Sequence, residues 1–401
     1  MKSKTGSISK GRPDFLLLVL ILLLVGFGLV MVFSSSSNIA VADSRYNYDA
    51  LYFTKRQIMF AFFGMIGMFI LMNMPYLSFQ KGIGMLYAAG SIGLLAVVPY
   101  IATEMHGARS WLYIGGFGIQ PTEFAKLGLI LYLGRLIAKK GEQFRDFRRG
   151  LLPVFIILGL VCGLIMAQPD LGGCLIIATA AAIMMVGGGA NFKQLMSAGV
   201  VAAVAAGLFL SVSAMINPKG SAYRLYRFTS YLHPLENAQG AGFHLVRSLG
   251  ALGHGGLTGA GFGQSVQKLD YLPFPYNDFI FAIIGEEFGF IGSVVFLLIY
   301  LLFLWRGLIV ALRCPDVYGT IVGTGIVGLI GVQAFINIGG VIGAIPITGV
   351  TLPFISYGGS SIIVVLLSMG VLLSISREYY KTGKADAPQT IRKQQTNISI
   401  R

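Results

Sequence analysis

Asp278, Glu286 and Glu287 lie in the stretch Tyr271–Phe290, which reads YLPFPYNDFIFAIIGEEFGF. Asp278 stands where a long loop gives way to an apolar run, and the two glutamates lie inside that run. An ionisable side chain at membrane depth costs about 2.5–3.5 kcal/mol on insertion scales, which makes each a functional-site candidate. A carboxylate at such a boundary can act as a general base on a hydroxyl. It can equally cap the helix that follows, worth about 1 kcal/mol. Spacing alone leaves both readings of Asp278 open. At about 100° per residue, Glu286 and Glu287 fall on other helix faces than Asp278, so no paired-carboxylate face is expected.

A second set of polar residues surrounds GFGIQPTEFAKLGLI. Pro121 suits a first helical turn, and Glu123 and Lys126, three apart, share a face and can pair. Either the pair packs two helices, or it forms the charged wall of an outward-facing cavity where Lys126 meets an anion or Asp278. In ARSWL just upstream, Arg109 can hold a phosphate by a paired contact, and Trp111 suits the membrane interface. Asp170 in AQPDLGG reads as a structural acid at a tight turn. In ITGVTLPFISYGGSSI, the hydroxyls of Ser356, Tyr357, Ser360 and Ser361 can line a polar cavity or cap the last helix; no base for a nucleophilic serine is evident. The four histidines (His106, His233, His244 and His254) have no zinc-site spacing. The run GALGHGGLTGAGFG lacks the spacing and preceding strand of a dinucleotide site.

These residues need a scaffold, and composition names it. Hydrophobic residues make up 55% of the 401 and charged residues 11%, more apolar surface than a soluble chain of this size can bury. Apolar runs of about 20 residues, the length that spans a bilayer, recur near 14–34, 56–74, 82–101, 121–138, 152–168, 171–189, 194–215, 279–305, 318–338 and 359–376. The expected fold is an all-α polytopic membrane protein with about ten transmembrane helices, since helices satisfy their own backbone in lipid. Both termini then lie on one side, with most of the 30 Lys and Arg, so that side is cytoplasmic. The net charge of +14 is a topology signal plus attraction to anionic lipid, not a sign of nucleic-acid binding. Residues 1–380 read as one membrane domain. An outer loop over about 216–277, between helices 7 and 8, is expected to pack on the membrane surface or dip into the bundle, with 242–252 as an amphipathic helix. The polar tail 381–401 reads as disordered. Cys162 and Cys174 fall within spans and Cys314 on the cytoplasmic side, so no disulfide is expected.

Four strings in order, GARSWLYIGGFGIQPTEFAKL, AQPDLGG, NDFIFAIIGEEFGFIG and TLPFISYGGSS, resemble the SEDS (shape, elongation, division and sporulation) family over about residues 14–378. GVLLSISR and TGVTLPF are more similar to its FtsW/SpoVE branch than to RodA. The resemblance implies a peptidoglycan glycosyltransferase that polymerises lipid II at the outer face of the cytoplasmic membrane during division or sporulation. Its partners would be a class B penicillin-binding transpeptidase and other divisome proteins. The family's essential aspartate falls on Asp278, and its Trp and Glu/Lys positions on Trp111, Glu123 and Lys126. Where the family has Thr before that aspartate and Glu after the Pro of LP, this chain has Asn277 and Phe274. Asn277 can still cap the helix; the missing carboxylate bears on metal or acceptor binding.

On this reading Asp278 is the general base, and Lys126 and Arg109 neutralise the pyrophosphate. A divalent cation, Mg²⁺ or Mn²⁺, would share that work, although no dedicated cage is visible. A lipid II flippase is the rival from another class, but its polar path should cross the whole membrane, whereas most charges gather at the outer end. A scaffold of the division machinery would leave them unexplained.

Overall fold

The computed structural model describes residues 11–105, 108–114, 117–168, 170–201, 231–236, 242–269 and 271–385, with 207, 211 and 240 as isolated positions. Of 103–105, 108, 109, 114, 117 and 379–385 it describes only the backbone. His106, most of 202–230, and the tail beyond 385 lie outside the described residues.

The helices are α1 (Phe15–Ala42), α2 (Tyr52–Asn73), α3 (Gly82–Ile101), α4 (Pro121–Lys140), α5 (Leu152–Met166), α6 (Leu171–Gly187), α7 (Phe243–Gly255), α8 (Ile280–Leu312), α9 (Val317–Val341) and α10 (Gly359–Ala385). Residues 192–201 are also helical, at the start of the expected seventh span. Among the described residues seven helices are long and apolar enough to cross a membrane. Between α3 and α4 the chain forms β1 (Thr103–Met105), β2 (Ala108–Ile114) and β3 (Phe117–Ile119), a small antiparallel meander in that order. The all-α expectation missed this sheet because its glycines and short aromatic runs carry no membrane-length signal.

Local chemistry sets the helix starts. Asp14 caps α1 by accepting from Leu17 N at 2.9 Å, Asp170 caps α6 through Gly173 N at 2.7 Å, and Pro121 opens α4. α9 is buried along most of its length, among α4, α6, α8 and α10. α2 lies along α10.

The basic end of the bundle is stitched by charge. Arg306 at the far end of α8 reaches both oxygens of Asp14, at 3.0 and 2.6 Å. Arg377 of α10 donates to Gly11 O and Met72 O, each at 3.0 Å. The β-meander and the turns preceding α6, α8 and α10 lie at the opposite end, where positive-inside logic puts the outer face.

α8 is broken. Gly289 has φ 68° and ψ −167°, a left-handed backbone that favours glycine. The helical bonds 290→286 and 291→287 are replaced by bonds to the glycine-rich loop. Phe290 N and Ile291 N donate to Gly256 O and Leu257 O at 2.9 and 3.1 Å. Ala260 N and Gly261 N donate to Glu286 O and Glu287 O at 2.9 and 3.1 Å. Residues 290–312 suffice to span about 30 Å at 1.5 Å per residue. Glu286 and Glu287 therefore lie on the outer side of the break, not inside the span proper.

Both glutamates hold the loop. The Glu286 carboxylate accepts from Val266 N at 2.9 Å, from Gln267 N at 3.3 Å and from Ser265 Oγ, and meets His254 Nδ1 at 2.8 Å. Glu287 Oε1 accepts from Lys268 Nζ at 2.8 Å and Ser34 Oγ at 2.6 Å, all three groups buried. α7 packs along the start of α8, burying Leu245, Ser248, Ala251 and Gly255. This part of the outer loop dips into the bundle, one of the two placements its apolar character allows.

Candidate active site

Four segments converge at the outer end: the start of α4, the start of α6, the turn before α8, and the loop 347–358 that leads into α10. That loop is the hub. Ser356 Oγ donates to Asn277 O at 2.7 Å and accepts from Leu352 N at 2.8 Å. Tyr357 N donates to Tyr276 O at 2.8 Å. Gln57 of α2 clamps the same loop from behind, donating to Ser356 O at 3.1 Å and accepting from Gly358 N at 3.2 Å. Ser360 Oγ accepts from Gln120 N at 3.0 Å, which fastens α10 to the start of α4. Ser356 and Ser360 are 5% and 4% exposed, so these hydroxyls hold backbone in place rather than standing open to a cavity.

α9 holds the hub from inside. Lys126 Nζ donates to Glu123 Oε1 at 2.7 Å and to Gln333 Oε1 at 3.1 Å. Gln333 Nε2 donates to Thr351 O at 3.1 Å. One turn on, Asn337 Nδ2 donates to Val350 O and Asp278 O, both at 2.7 Å. Gln333 and Asn337 thus grip adjacent loop residues from one helix face, as i,i+4 spacing allows. They were missed in the sequence, though two amides in the apolar run IVGLIGVQAFINIGG are a readable signal, because polar groups in a span mark function.

Asp278 is not a cap. α8 begins at Ile280 with Phe279 in the cap position and no side-chain cap bond. Asn277 does not cap it either, and its buried Oδ1 has no partner among the described residues. Among the described residues the Asp278 carboxylate accepts no hydrogen bond and faces no charged partner, and burial pushes its pKa up to about 6. Desolvation penalises the ionised form and nothing here offsets it. Gly349, at φ 74°, lies alongside: a Cβ there would sit 3.6 Å from Asp278 Oδ2.

The remaining candidates lie close by. Glu123 and Lys126 form a buried pair. The ammonium has three donors, two of them committed, and it makes no direct contact with Asp278. The Asp170 pKa is raised by burial, lowered by its bond from Gly173 and by Lys126, and raised by Glu123, which ties it electrostatically to that pair. Trp111, in β2, is partly buried with its ring against Gly118. Arg109 lies in the backbone of β2, and its side chain is outside the described residues.

Residues 14–381 match the model of a cell cycle protein family, that of FtsW, RodA and SpoVE. The chain belongs to this family. It is 42% identical over 370 residues to stage V sporulation protein E of Bacillus subtilis (strain 168), covering 92% of this chain and 98% of that protein. It is 40% identical over 404 residues to the probable peptidoglycan glycosyltransferase FtsW of the same organism, covering 96% and 97%. Two solved structures are similar in fold. One, described as showing structural coordination of polymerization and crosslinking by a peptidoglycan synthase complex, gives a TM-score of 0.74 at 29% identity, over 92% of this chain and 98% of that one. The other is the rod shape determining protein RodA of Thermus thermophilus, with a TM-score of 0.66 at 27% identity and the same coverage. The chain is therefore a multi-pass membrane protein of this family.

Proposed function

We propose that this chain is a peptidoglycan glycosyltransferase that polymerises lipid II at the outer face of the cytoplasmic membrane. The observation that supports the reading is Asp278: a carboxylate at the outer end of a membrane bundle, without a partner among the described residues and with its pKa pushed up to about 6 by burial. A base whose pKa lies near the working pH is both ionised and able to accept a proton, a contribution of about 10²–10⁴-fold. The names of the relatives support the activity. In the reaction, the acceptor sugar hydroxyl of one lipid II gives its proton to Asp278 as its oxygen bonds the anomeric carbon of the growing glycan. The bond from that carbon to the polyprenyl pyrophosphate breaks, and the pyrophosphate leaves with the electron pair.

Lys126, with one donor uncommitted among the described residues, and Arg109 are the proposed partners of the pyrophosphate charge. Glu123 holds Lys126, and Trp111 lies on the meander beside the start of α4 to position a sugar. A role for Mg²⁺ or Mn²⁺ has less support. Among the described residues no three His, Cys, Asp or Glu side chains gather as a metal set, and no second carboxylate adjoins Asp278. A class B penicillin-binding transpeptidase is the proposed partner, in line with the description of the similar synthase complex, and other divisome proteins would follow from the sporulation and division relatives.

A flippase would need polar groups along the whole depth of the bundle, whereas the small cavity beside Lys126 is lined mainly by apolar side chains, among them Leu129, Ile130, Leu133, Ile177, Met184 and Leu329. The test is polymerisation of labelled lipid II by the purified chain, with and without the transpeptidase. Lipid II transport into vesicles without any polymer would favour the flippase instead.

A further inference from the structure

We propose that Asn337 is a positioning residue for this reaction: through the carbonyl of Asp278 it holds the base in place, and with Gln333 it fixes that base relative to Lys126. The inference rests on the glycosyltransferase reading above.

Asn337 is 4% exposed, and its single amide nitrogen makes two hydrogen bonds of 2.7 Å, to Asp278 O and Val350 O. These carbonyls belong to segments far apart in sequence, so one side chain sets their separation. Flipping the amide would put an oxygen against two carbonyl oxygens, so its orientation is determined. Its own Oδ1 is buried with no donor among the described residues. An amide chosen for packing alone would be satisfied on both atoms or replaced by an apolar side chain. This one instead spends its donors on the backbone of the base and of the residue beside Gly349.

Gln333 adds the second rung. Its Oε1 accepts from Lys126 and its Nε2 donates to Thr351 O, next in chain to Val350. The rigid rod of α9 therefore fixes Asp278 and Lys126 to one frame. Among the described residues the Asp278 carboxylate has no partner of its own to do this. Its position is set through its backbone, by Asn337 on one side and by Ser356 at the neighbouring Asn277 carbonyl on the other.

The test uses the full chain in lipid nanodiscs with fluorescent lipid II, comparing Asn337→Ala, the isosteric Asn337→Asp and Asp278→Asn. Ser374→Ala, which removes a bond to Met74 O at the cytoplasmic end, controls for lost stability. Misplacing a catalytic group by about 1 Å costs about 10²-fold. Both Asn337 variants should lower kcat at least about tenfold with KM changed less than about threefold. In Asn337→Ala the acid limb of the pH–rate profile should move to lower pH, as the released Asp278 reaches water. Full kcat in both Asn337 variants alongside an inactive Asp278→Asn would overturn the positioning role and leave the base intact. A loss of kcat that merely tracks Tm, with the acid limb unmoved, would also overturn it. Activity retained in Asp278→Asn would instead overturn the glycosyltransferase base on which the inference rests.

Discussion

Replacing Asp278 by Asn should inactivate the protein and stabilise it at the same time. The carboxylate has an ordinary pKa of 3.8, pushed to about 6 in the fold by burial alone. At 1.36 kcal/mol per tenfold change in proton affinity, that is about 3 kcal/mol. The side chain is partly exposed, and solvent screening trims the figure to about 1–2 kcal/mol. The folded state holds the proton more tightly than the unfolded state, so the fold is favoured at low pH and the benefit is lost as pH rises through about 6. Above pH 6 the wild type carries an uncompensated charge, whereas Asn carries none. Tm of Asp278→Asn, measured by tryptophan fluorescence in detergent, should therefore exceed wild type by about 2–4 °C at pH 7.5. The gap should narrow below pH 6 and close near pH 4, while polymerisation falls by about 10²-fold or more. A variant no more stable than wild type at pH 7.5, or a gap that ignores pH, would show that Asp278 is compensated and would remove the physical argument for the base.

Lys268→Ala should cost about 3–5 kcal/mol, read as thermal unfolding, because it strands Glu287 buried and unpaired; Lys268→Met with Glu287→Leu should recover most of it. Gly289→Ala should undock the loop, since φ 68° is strained for Ala and its Cβ would collide with the backbone of Leu257 and Gly259; new protease cleavage within 256–269 is the readout. Lys126→Ala should lower thermal stability, and adding Glu123→Gln should restore it; if activity stays lost in the double variant, Lys126 acts on substrate, and if activity returns, the pair was structural. Hydrogen exchange should find 260, 261, 290 and 291 protected without any partner, and a transpeptidase that raises the rate should change protection nearer Asp278.

The bundle was readable because membrane thickness imposes one length on every span, so the runs at 82–101 and 171–189 match α3 and α6 closely. The break in α8 was not. Its sequence is uniformly apolar from Ile280 to Gly285 and again from Phe288, and only the loop inserted against Gly289 reveals it. Gly255 and Gly259 allow close backbone approach to α8, so the segment leading toward Asp278 is pinned. Asp278 itself was legible by type and boundary, as were the Glu123–Lys126 pair from its spacing and Asp170 as a turn acid. Ser356 and Ser360 were legible as polar residues near the site but not as backbone stitches, because a hydroxyl's partner depends on folding across hundreds of residues. Gln333 and Asn337 carry a fainter signal than the charged residues, because an uncharged amide costs less than a charge at membrane depth.

The pattern of pairing is what sets Asp278 apart. Asp14 meets Arg306, Glu123 meets Lys126, Glu287 meets Lys268, and Glu286 is ringed by His254, Ser265 and backbone N–H groups. Asp170 caps a helix. A low-dielectric bundle makes each of these arrangements necessary, because an ionised group left alone there costs several kcal/mol. Asp278 sits among these paired groups with its carbonyl gripped by Asn337 and, among the described residues, its carboxylate ungripped. Had a donor reached that carboxylate, its pKa would fall and its proton affinity with it, leaving a more stable and poorer base. The described residues hold Asp278 by the backbone and leave its carboxylate bare. On the proposed reading, that division lets a substrate hydroxyl become a hydrogen-bond partner of the carboxylate, while the supporting amides Gln333 and Asn337 lie on a largely buried helix.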